Sequence, residues 1–229
     1  MNKLLNTNNI NYVVASDTDS IYLKLEKLVE KVCKDKTPQQ ITDFINKAAE
    51  EKIQKVIDDS FENLAKYVNA YQQKMIMKRE AIANKGIWVA KKRYMLNVFD
   101  EEGIRFDIPK LKIMGVEAVK SSTPEVCRGK IKDAIRVIMN DSEDALIKFV
   151  NDFKEVFKTL SPEEVAFPRS CNYIDKYVDP NSIYKKGTPI HVKGALIYNH
   201  NINKHKLSAK YPIIKDGDKI KFLMLRQPN

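Results

Sequence analysis

Two carboxylates one residue apart form the part of the sequence best suited to chemistry. Asp17 and Asp19 lie in the tetrapeptide Asp17-Thr18-Asp19-Ser20, between residues 12–16 and 21–25. Both flanking segments are rich in β-branched and aromatic residues, which predicts two strands joined by a tight turn. Carboxylates at a hairpin tip can bind a hard divalent cation such as Mg²⁺, which also binds substrate phosphates. An Asp-rich turn that only solvates the hairpin is the alternative.

A basic motif forms the second group of side chains suited to chemistry. Lys91-Lys92-Arg93-Tyr94 lies between the apolar residues 87–90 and 95–99, which predicts one strand running through the motif. Residues 100–103 then predict a hairpin turn. Because alternate side chains of a strand share a face, Lys92 and Tyr94 are expected on one face and Lys91 and Arg93 on the other. A solvated basic strand edge is the alternative.

The order of these motifs resembles that of the family B DNA polymerases of T-even-like bacteriophages. The Asp-Thr-Asp-Ser hairpin resembles their second carboxylate motif, and Lys-Lys-Arg-Tyr resembles their primer-contacting motif. Further segments in the same order are residues 78–83, 110–115, 121–124, 188–194 and 198–199. The resemblance covers nearly the whole chain, and several motifs in one order are more specific than any single motif.

The resemblance implies an α+β fold in two parts. Residues 1–115 would be the C-terminal part of a palm, an antiparallel sheet with a long helix, and residues 116–229 a truncated, mostly helical thumb. Such a polymerase joins dNTPs to a primer–template DNA during viral DNA replication. Its editing exonuclease, fingers and first carboxylate motif would precede this sequence. We therefore expect an inactive part that needs a complementing N-terminal polymerase chain, either as a split-gene subunit or as a truncated sequence. No clamp-binding peptide is seen.

The resemblance also implies roles for the acidic residues. Asp19 would bind the two catalytic Mg²⁺ ions together with an upstream aspartate, and Asp17 would tune the site more than bind. Thr18 and Ser20 would hold the turn by hydrogen bonds. Glu80 would lie near the metal ions, with a surface salt bridge to Lys78 or Arg79 as the alternative.

The basic motif would lie along the minor groove of the primer–template end. The acceptor pattern there is nearly the same for all base pairs, so a Lys or Tyr donor can test pair geometry without reading sequence. Asp100 would brace one of these lysines or be a simple turn carboxylate. Phosphate contacts in the thumb would come from Lys112, Lys120, Ser121, Ser122, Lys193 and Tyr198. For any one of these lysines, solvent exposure without a contact is the alternative.

Three positions depart from the family pattern. Ser16 stands where the family usually has Gly, and Ala15 stands where many members have Tyr. A seryl side chain at the turn entrance could crowd the hairpin or restrict its backbone. Lys193 stands where relatives have Arg, which weakens bidentate phosphate binding.

Composition limits the compartment and the kinds of site. Hydrophobic residues make up 43% of the 229, enough for real cores, and no apolar run is long enough to span a bilayer. No signal peptide pattern precedes the first strand. Cys33, Cys127 and Cys171 are widely spaced and odd in number, so each is expected to be a buried side chain in a reducing compartment. With the resemblance, that compartment is the cytoplasm of an infected bacterial cell. The three histidines form no metal set, and His191 is expected to be a structural hydrogen-bonding residue.

The net charge of +10 is unevenly distributed along the chain. Residues 74–132 carry +7 and residues 169–229 carry +8, whereas residues 133–168 carry −4. Two basic blocks separated by an acidic stretch indicate two surfaces that meet one polyanion. General solubility conferred by lysine is the alternative.

The remaining pattern predicts the elements that position these groups. Thr37-Pro38 begins a long amphipathic helix to about residue 73, and its apolar stripe is expected in the core. Helices are expected to start at residues 123–125 and 142–144, with a further helix at 189–201. A terminal strand is expected at 219–225, after the turn at 216–218. The boundary between the two parts is expected near residues 115–122.

The sequence is also compatible with two other functions. A palm–thumb fragment could bind duplex DNA without catalysis. A Mg²⁺-dependent nuclease could use Asp17, Asp19 and Glu80.

Overall fold

The computed structural model describes residues 11–224. These residues form an α+β fold with antiparallel sheets and several helices. The chain divides into two compact units, Met1–Met114 and Gly115–Asn229, which we call the first and the second unit.

The first unit contains the β-hairpin that flanks the two carboxylates. Strand β1 (Val13–Asp17) pairs antiparallel with β2 (Ser20–Leu23), and Thr18 and Asp19 form the turn. A short helix that we did not expect, α1 (Glu26–Val32), follows the hairpin. Its N-terminus has no side-chain cap, so no capping residue type marks it in the sequence.

A long helix then begins at the predicted cap. The Thr37 hydroxyl accepts a hydrogen bond from the Gln40 amide at 3.3 Å, and the Gln40 side chain accepts one from the Thr37 amide at 3.0 Å. This reciprocal pair is a capping box. The helix runs through α2 (Pro38–Ala48), a π-helical turn (Ala49–Ile53) and α3 (Gln54–Tyr67).

The sequence spacing does not mark the π-helical turn. Apolar residues recur three or four positions apart along this helix, and the buried Ala49 lies four positions after Ile45 and four before Ile53. A π-helical turn closes its hydrogen bonds between residues five apart, so it contains one residue more than an α-helical turn.

The expectation that the whole stripe is core is wrong for its C-terminal end. The helix ends at Tyr67 and not near residue 73. Leu64, Val68 and Tyr71 are exposed, Tyr71 completely so, whereas Ile53 and Phe61 are half-buried. Only the earlier part of the stripe is therefore packed among the described residues.

A three-stranded antiparallel sheet forms the centre of the first unit. Its strands are β3 (Ala81–Ala90), β4 (Arg93–Glu101) and β5 (Ile104–Met114), in that order. Every residue of β4 from 95 to 100 is buried, which means that the central strand is covered on both faces.

The basic motif lies at a hairpin turn and not within one strand. Ala90 pairs with Arg93, so Lys91 and Lys92 form the turn between β3 and β4, and Lys92 has a left-handed φ of 61°. The expected strand alternation of Lys92 with Tyr94 is therefore wrong. Lysine is not among the residues that favour turns, so no residue type marks the chain reversal in the sequence.

Asp100 is a buried member of β4, and its partners are arginines, not the lysines of the basic motif. Its side chain is completely buried and accepts a hydrogen bond from Arg79 and one from the Gly103 amide at 3.0 Å. The Arg105 Nε lies 3.0 Å from its second oxygen, Oδ2. The alternative that Asp100 is a simple turn carboxylate is correct only in part, because Asp100 does accept a hydrogen bond from Gly103 in the turn.

The same arginine connects the sheet to the long helix. Arg105 Nη2 lies 2.9 Å from Asp43 Oδ1 on α2. The buried carboxylate of Asp100 therefore joins the segment before β3, the β4–β5 hairpin and, through Arg105, the helix.

The second unit begins with helices whose starts agree with the sequence pattern. They are α4 (Glu125–Asn140), α5 (Glu143–Thr159), which the Ser142 hydroxyl caps, and the short α6 (Pro162–Val165). The helical spacing of the apolar residues of α5 predicts that Val150, Val156 and Phe157 face inward, but they are 43%, 49% and 41% exposed. The described part of this unit covers only one side of α5.

The rest of the second unit folds around a core of its own. Strand β6 (Phe167–Ser170), which we did not predict, pairs antiparallel with β7 (Lys219–Phe222), and α7 (Ile190–Lys204) lies at the predicted place. The buried residues of this core are Cys171, Ile174, Val192, Ala195 and Leu196. The predicted terminal strand is shorter than expected, and its residue 225 lies outside the described residues.

The cysteines are all free. Cys33 and Cys171 are buried as expected, whereas Cys127 is only half-buried. None of the helices formed by residues 11–224 is long and apolar enough to cross a membrane.

We predict that Asp100→Asn destabilises the protein by about 3 kcal/mol, because Arg79 and Arg105 lose their buried anion. Urea unfolding followed by circular dichroism measures this change. Asp107→Asn on β5 is the matched control, since Asp107 is exposed, and it should change the free energy of unfolding by less than about 0.5 kcal/mol. Equal stability of the two variants would contradict the role of Asp100.

Candidate functional site

The tip of the β1–β2 hairpin, which we call the carboxylate hairpin, presents its two aspartates differently. Asp19 is exposed and Asp17 is half-buried. The Thr18 hydroxyl donates to Asp17 Oδ1 at 3.3 Å, and the Ser20 hydroxyl donates to the Asp17 carbonyl at 3.2 Å. Thr18 has φ of 41°, a left-handed value that β-branched residues rarely adopt. The turn is therefore held by local hydrogen bonds in a conformation that threonine does not favour.

The Ser16 substitution does not crowd the turn. Ser16 pairs with Ile21, whereas Asp17 pairs with Ser20 and Ala15 with Tyr22. Paired residues of an antiparallel hairpin share a face, and successive residues alternate between faces. The exposed Ser16 side chain therefore lies on the face opposite Asp17, and Ala15 lies on the same face as Asp17.

The β3–β4 hairpin, which we call the basic hairpin, faces the carboxylate hairpin at its tip. Lys92 Nζ lies 3.9 Å from Asp17 Oδ2, with the two side chains 70% and 32% exposed. A solvated pair of this kind contributes less than about 1 kcal/mol. Lys91 is exposed, and Arg93 is half-buried with interactions of its own. The structure thus brings Asp17 and Lys92 together at one end of the first unit.

Three aromatic rings join the two hairpins behind these tips. Tyr22 contacts Trp88 edge-on with ring centroids 5.3 Å apart, and it contacts Tyr94 at 5.3 Å. Trp88 and Tyr94 stack at 6.2 Å. We call these three residues the ring cluster. Such contacts add about 0.5–1.5 kcal/mol each beyond the area that they bury, so they outweigh the exposed ion pair.

Gly86 makes room for the ring cluster. A Cβ atom at this position would lie 2.8 Å from the Trp88 ring and 2.8 Å from the Leu96 side chain. The Trp88 ring therefore packs directly over the backbone of its own strand, and any larger residue at position 86 would displace it.

Burial, and to a lesser extent a hydrogen bond with Tyr22, raises the pKa of Tyr94 to about 12. The charge of Lys112 acts in the opposite direction, and that of Glu80 acts in the same direction. Tyr94 is therefore a neutral hydrogen-bonding group at physiological pH.

Lys112 and Glu80 form an ion pair and are not free groups. Lys112 hydrogen-bonds to Glu80 and lies 2.9 Å from Glu101 Oε1, and its side chain is only 17% exposed. Burial opposes the charge of Lys112, but the hydrogen bonds that it donates to both carboxylates outweigh this effect and raise its pKa. Hydrogen bonds from Lys110 and Lys112 lower the pKa of Glu101. The partner of Glu80 is thus neither Lys78 nor Arg79, and Lys112 is engaged within the sheet.

The described residues do not by themselves form a complete Mg²⁺ site. Among residues 11–224, no group of three or more His, Cys, Asp and Glu side chains is placed to hold a metal ion. The carboxylates of Asp17 and Asp19 are the hard oxygen ligands that Mg²⁺ prefers. Their chemistry fits the ion, but two side chains at one turn do not complete its coordination.

The sequence-predicted residues of the second unit lie at several places within it. Ser121 and Ser122 precede α4, while Lys120 pairs with Glu117 at 2.8 Å. Lys193 on α7 lies over the Tyr184 ring, 4.4 Å from its centroid. Tyr198 is half-buried on α7.

His191 has a structural environment, at the start of α7. It is half-buried, hydrogen-bonds with the backbone of Ser170 and lies 6.1 Å from the Phe222 ring. Burial lowers its pKa, and the charge of Arg169 adds to this effect.

Sequence reasoning missed Tyr22 and Trp88. Both are aromatic residues on strands, where such residues are common, so their type alone gives no functional signal. The useful signal was Gly86 two positions before Trp88, since glycine within a strand often marks a close approach.

Comparison with known proteins gives two matches that cover 100% of the chain. It is 35% identical to the DNA-directed DNA polymerase of Enterobacteria phage T4 and 38% identical to that of Escherichia phage RB69, each over an alignment 239 positions long. No protein-family model matches the chain. The chain spans 26% of the length of each of these relatives.

The raised pKa of Tyr94 predicts a late step in a spectroscopic titration. The neutral phenol is favoured in the folded state, so its contribution to stability is present below pH 10 and is lost as the pH rises toward about 12. Phenolate absorbance after rapid pH jumps should show a component in this range that Tyr94→Phe removes. Tyr71→Phe, at a completely exposed tyrosine, should leave that component unchanged.

Proposed function

Since the whole chain is a relative of a segment of the T-even-like phage DNA polymerases, we propose that it is the C-terminal palm and thumb region of a DNA-directed DNA polymerase. The observation that supports this most is the identity of 35% and 38% over the full chain. In this proposal the first unit is part of the palm and the second unit is the thumb. The region acts together with the remaining polymerase sequence, in the same polypeptide or in another, on primer–template DNA and dNTPs.

The carboxylate hairpin is proposed to supply part of the metal site. In nucleotidyl transfer, two Mg²⁺ ions stabilise the entering and leaving oxygens. The exposed Asp19 offers an oxygen ligand, and carboxylates from the rest of the polymerase complete the set. Asp17, which faces Lys92, adds a negative charge beside the metal site and is partly balanced by that lysine. The Thr18 and Ser20 hydrogen bonds hold Asp17 in the turn and so fix the direction of Asp19.

The basic hairpin is proposed to contact the primer end. Lys91 and Lys92 form an exposed turn, and a turn can enter a groove that a flat strand face cannot. Tyr94 stays neutral and is held by the ring cluster, so it contributes as a hydrogen-bonding group and not as a charge. Lysine at the tip and a neutral phenol behind it suit contact with acceptors that all base pairs share.

The second unit is proposed to hold the duplex through phosphates. Residues 169–229 carry a net charge of +8, and such contacts give affinity without sequence preference. Lys120, Ser121, Ser122 and Lys193 are the candidates. Lys112 is a weaker candidate, because it is already paired with two carboxylates in the first unit.

Duplex binding without catalysis is the second candidate function for this region by itself. The net charge of +8 over residues 169–229 supports it, since such a surface can bind phosphates without catalysis. A nuclease that uses Asp17, Asp19 and Glu80 is not favoured, because Glu80 pairs with Lys112.

We predict that the affinity of the protein for duplex DNA falls steeply with salt. If about five phosphates are neutralised, the logarithm of the association constant should fall by about 4–5 per tenfold rise in salt. Fluorescence anisotropy with a labelled primer–template measures this slope. Replacing Lys91 and Lys92 by Ala should reduce the slope by about 1–2.

The matched control for this titration is the replacement of Lys148 and Lys158 by Ala. Both lysines are exposed on α5, within the acidic stretch, and each pairs with a neighbouring carboxylate. This variant should keep the wild-type slope. A salt-independent affinity of the wild-type protein would contradict duplex binding through phosphates.

We predict that Asp19→Asn abolishes primer extension by a polymerase that contains this region, because the amide is a poor ligand for Mg²⁺. Gel analysis of extended primers measures this, and the same variant should bind primer–template with wild-type affinity. Asp35→Asn is the matched control, since Asp35 is exposed in a turn whose φ of 64° asparagine tolerates. Full activity of Asp19→Asn would remove the catalytic proposal and leave duplex binding.

A further inference from the structure

We propose that Tyr22 is a positioning residue, which holds the carboxylate hairpin against the basic hairpin so that Asp17 and Lys92 face each other. This inference rests on the proposed function, because it assigns the placement of a carboxylate and a lysine at the primer end to a third side chain. In the part of the chain that the structure describes, no hydrogen bond or ring contact joins Tyr22 to Asp17 or Lys92. Tyr22 acts through the ring cluster.

Within the carboxylate hairpin, Tyr22 and Asp17 lie on one face. Tyr22 pairs with Ala15, and Asp17 follows Ala15 by two positions. Two strand residues span about 7 Å, so the Tyr22 ring lies one step behind the tip on the face that meets the basic hairpin.

The basic hairpin has the matching arrangement. Trp88 and Tyr94 are cross-strand partners, and the turn residues Lys91 and Lys92 lie just beyond them. The two rings therefore share a face one step behind their own tip. When Tyr22 packs on both rings, at centroid distances of 5.3 Å and 5.3 Å, the two tips are aligned.

The ring contacts determine the positions of Asp17 and Lys92, and the ion pair between these two residues does not determine the ring contacts. Lys92 and Asp17 are 3.9 Å apart, and the Lys92 side chain is 70% exposed, so their attraction is weak. The three rings are in contact with one another, and the Trp88 ring packs closely against the backbone at Gly86. Tyr22 also hydrogen-bonds with Tyr94. The stronger contact therefore determines where the weaker one forms.

Tyr22 is not required for the sheet itself. The central strand β4 pairs along its length with β3 and β5, and the carboxylate hairpin forms a separate two-stranded sheet. Loss of the Tyr22 ring should therefore shift the carboxylate hairpin and leave the sheet folded. This separation between placement and folding makes the role testable.

The first experiment uses the full chain without DNA. Tyr22→Leu should move the Lys92 amide resonance in a ¹H–¹⁵N spectrum and shift the emission of Trp88, the one tryptophan of the sequence. Tyr22→Phe keeps the ring and should restore both signals nearly to those of the wild type. Tyr71→Leu is the matched control at a completely exposed tyrosine, and it should change neither. An unmoved Lys92 resonance in Tyr22→Leu would overturn the inference.

The second experiment is a double-mutant cycle on primer–template affinity. Tyr22→Leu should weaken binding by about tenfold, a coupling typical of residues in one network, but should add nothing in a Lys92→Ala background. Equal effects in both backgrounds, with unchanged circular dichroism, would show that Tyr22 does not act through Lys92. Should Tyr22→Leu lower the folded fraction, Tyr22→Met is measured in its place.

The two experiments separate the inference from the proposed function. A wild-type chain that does not bind primer–template contradicts the proposed function, while the Lys92 resonance still decides whether Tyr22 positions the hairpin tips. A wild-type chain that binds, with a Tyr22→Leu variant that binds equally well, contradicts the inference alone.

Discussion

A completely buried carboxylate constrains the first unit more than any other group. Asp100 lies on the central strand, and removal of its charge from water requires that Arg79 and Arg105 remain beside it. Arg79 belongs to the segment before β3, and Arg105 belongs to β5 and also contacts Asp43 on the long helix. The sheet, the segment that precedes it and the helix are thereby held in one arrangement. The hairpins at the end of the sheet depend on this frame.

On that frame, two hairpins with opposite charge meet at their tips. The carboxylate hairpin contains Asp17 and Asp19, the basic hairpin contains Lys91 and Lys92, and the ring cluster joins them. The arrangement keeps acidic and basic groups close without burying either, so both stay available to a ligand. In the proposed polymerase, metal ions and a primer end would meet at such a place.

The sequence predicted elements where local chemistry decides the structure. Thr37 and Ser142 cap helices, and the Asp-containing turn joins two strands, because each depends on neighbouring residues alone. The reversal at Lys91-Lys92 could not be predicted, since it is imposed by the pairing of β3 with β4 and not by turn-favouring residues. The ion-pair partners of Asp100 and Glu80 could not be predicted for the same reason, because they are distant in sequence. The carboxylates of the candidate site were found from their spacing, whereas Tyr22 and Trp88 are recognisable only once the two hairpins are seen together.

The π-helical turn in the long helix has a consequence for how its length can vary. Because this turn contains one residue more than an α-helical turn, deletion of a single residue within 50–52 would change the spacing between the buried Ala49 and Ile53 from four to three, which is still a helical spacing. A regular α-helix then accommodates the same apolar stripe. Homologous sequences that are one residue shorter at this point would thus keep the cap, the stripe and the contact of Asp43 with Arg105. The helix can absorb an evolutionary insertion or deletion here without a rearrangement of the sheet on which it packs.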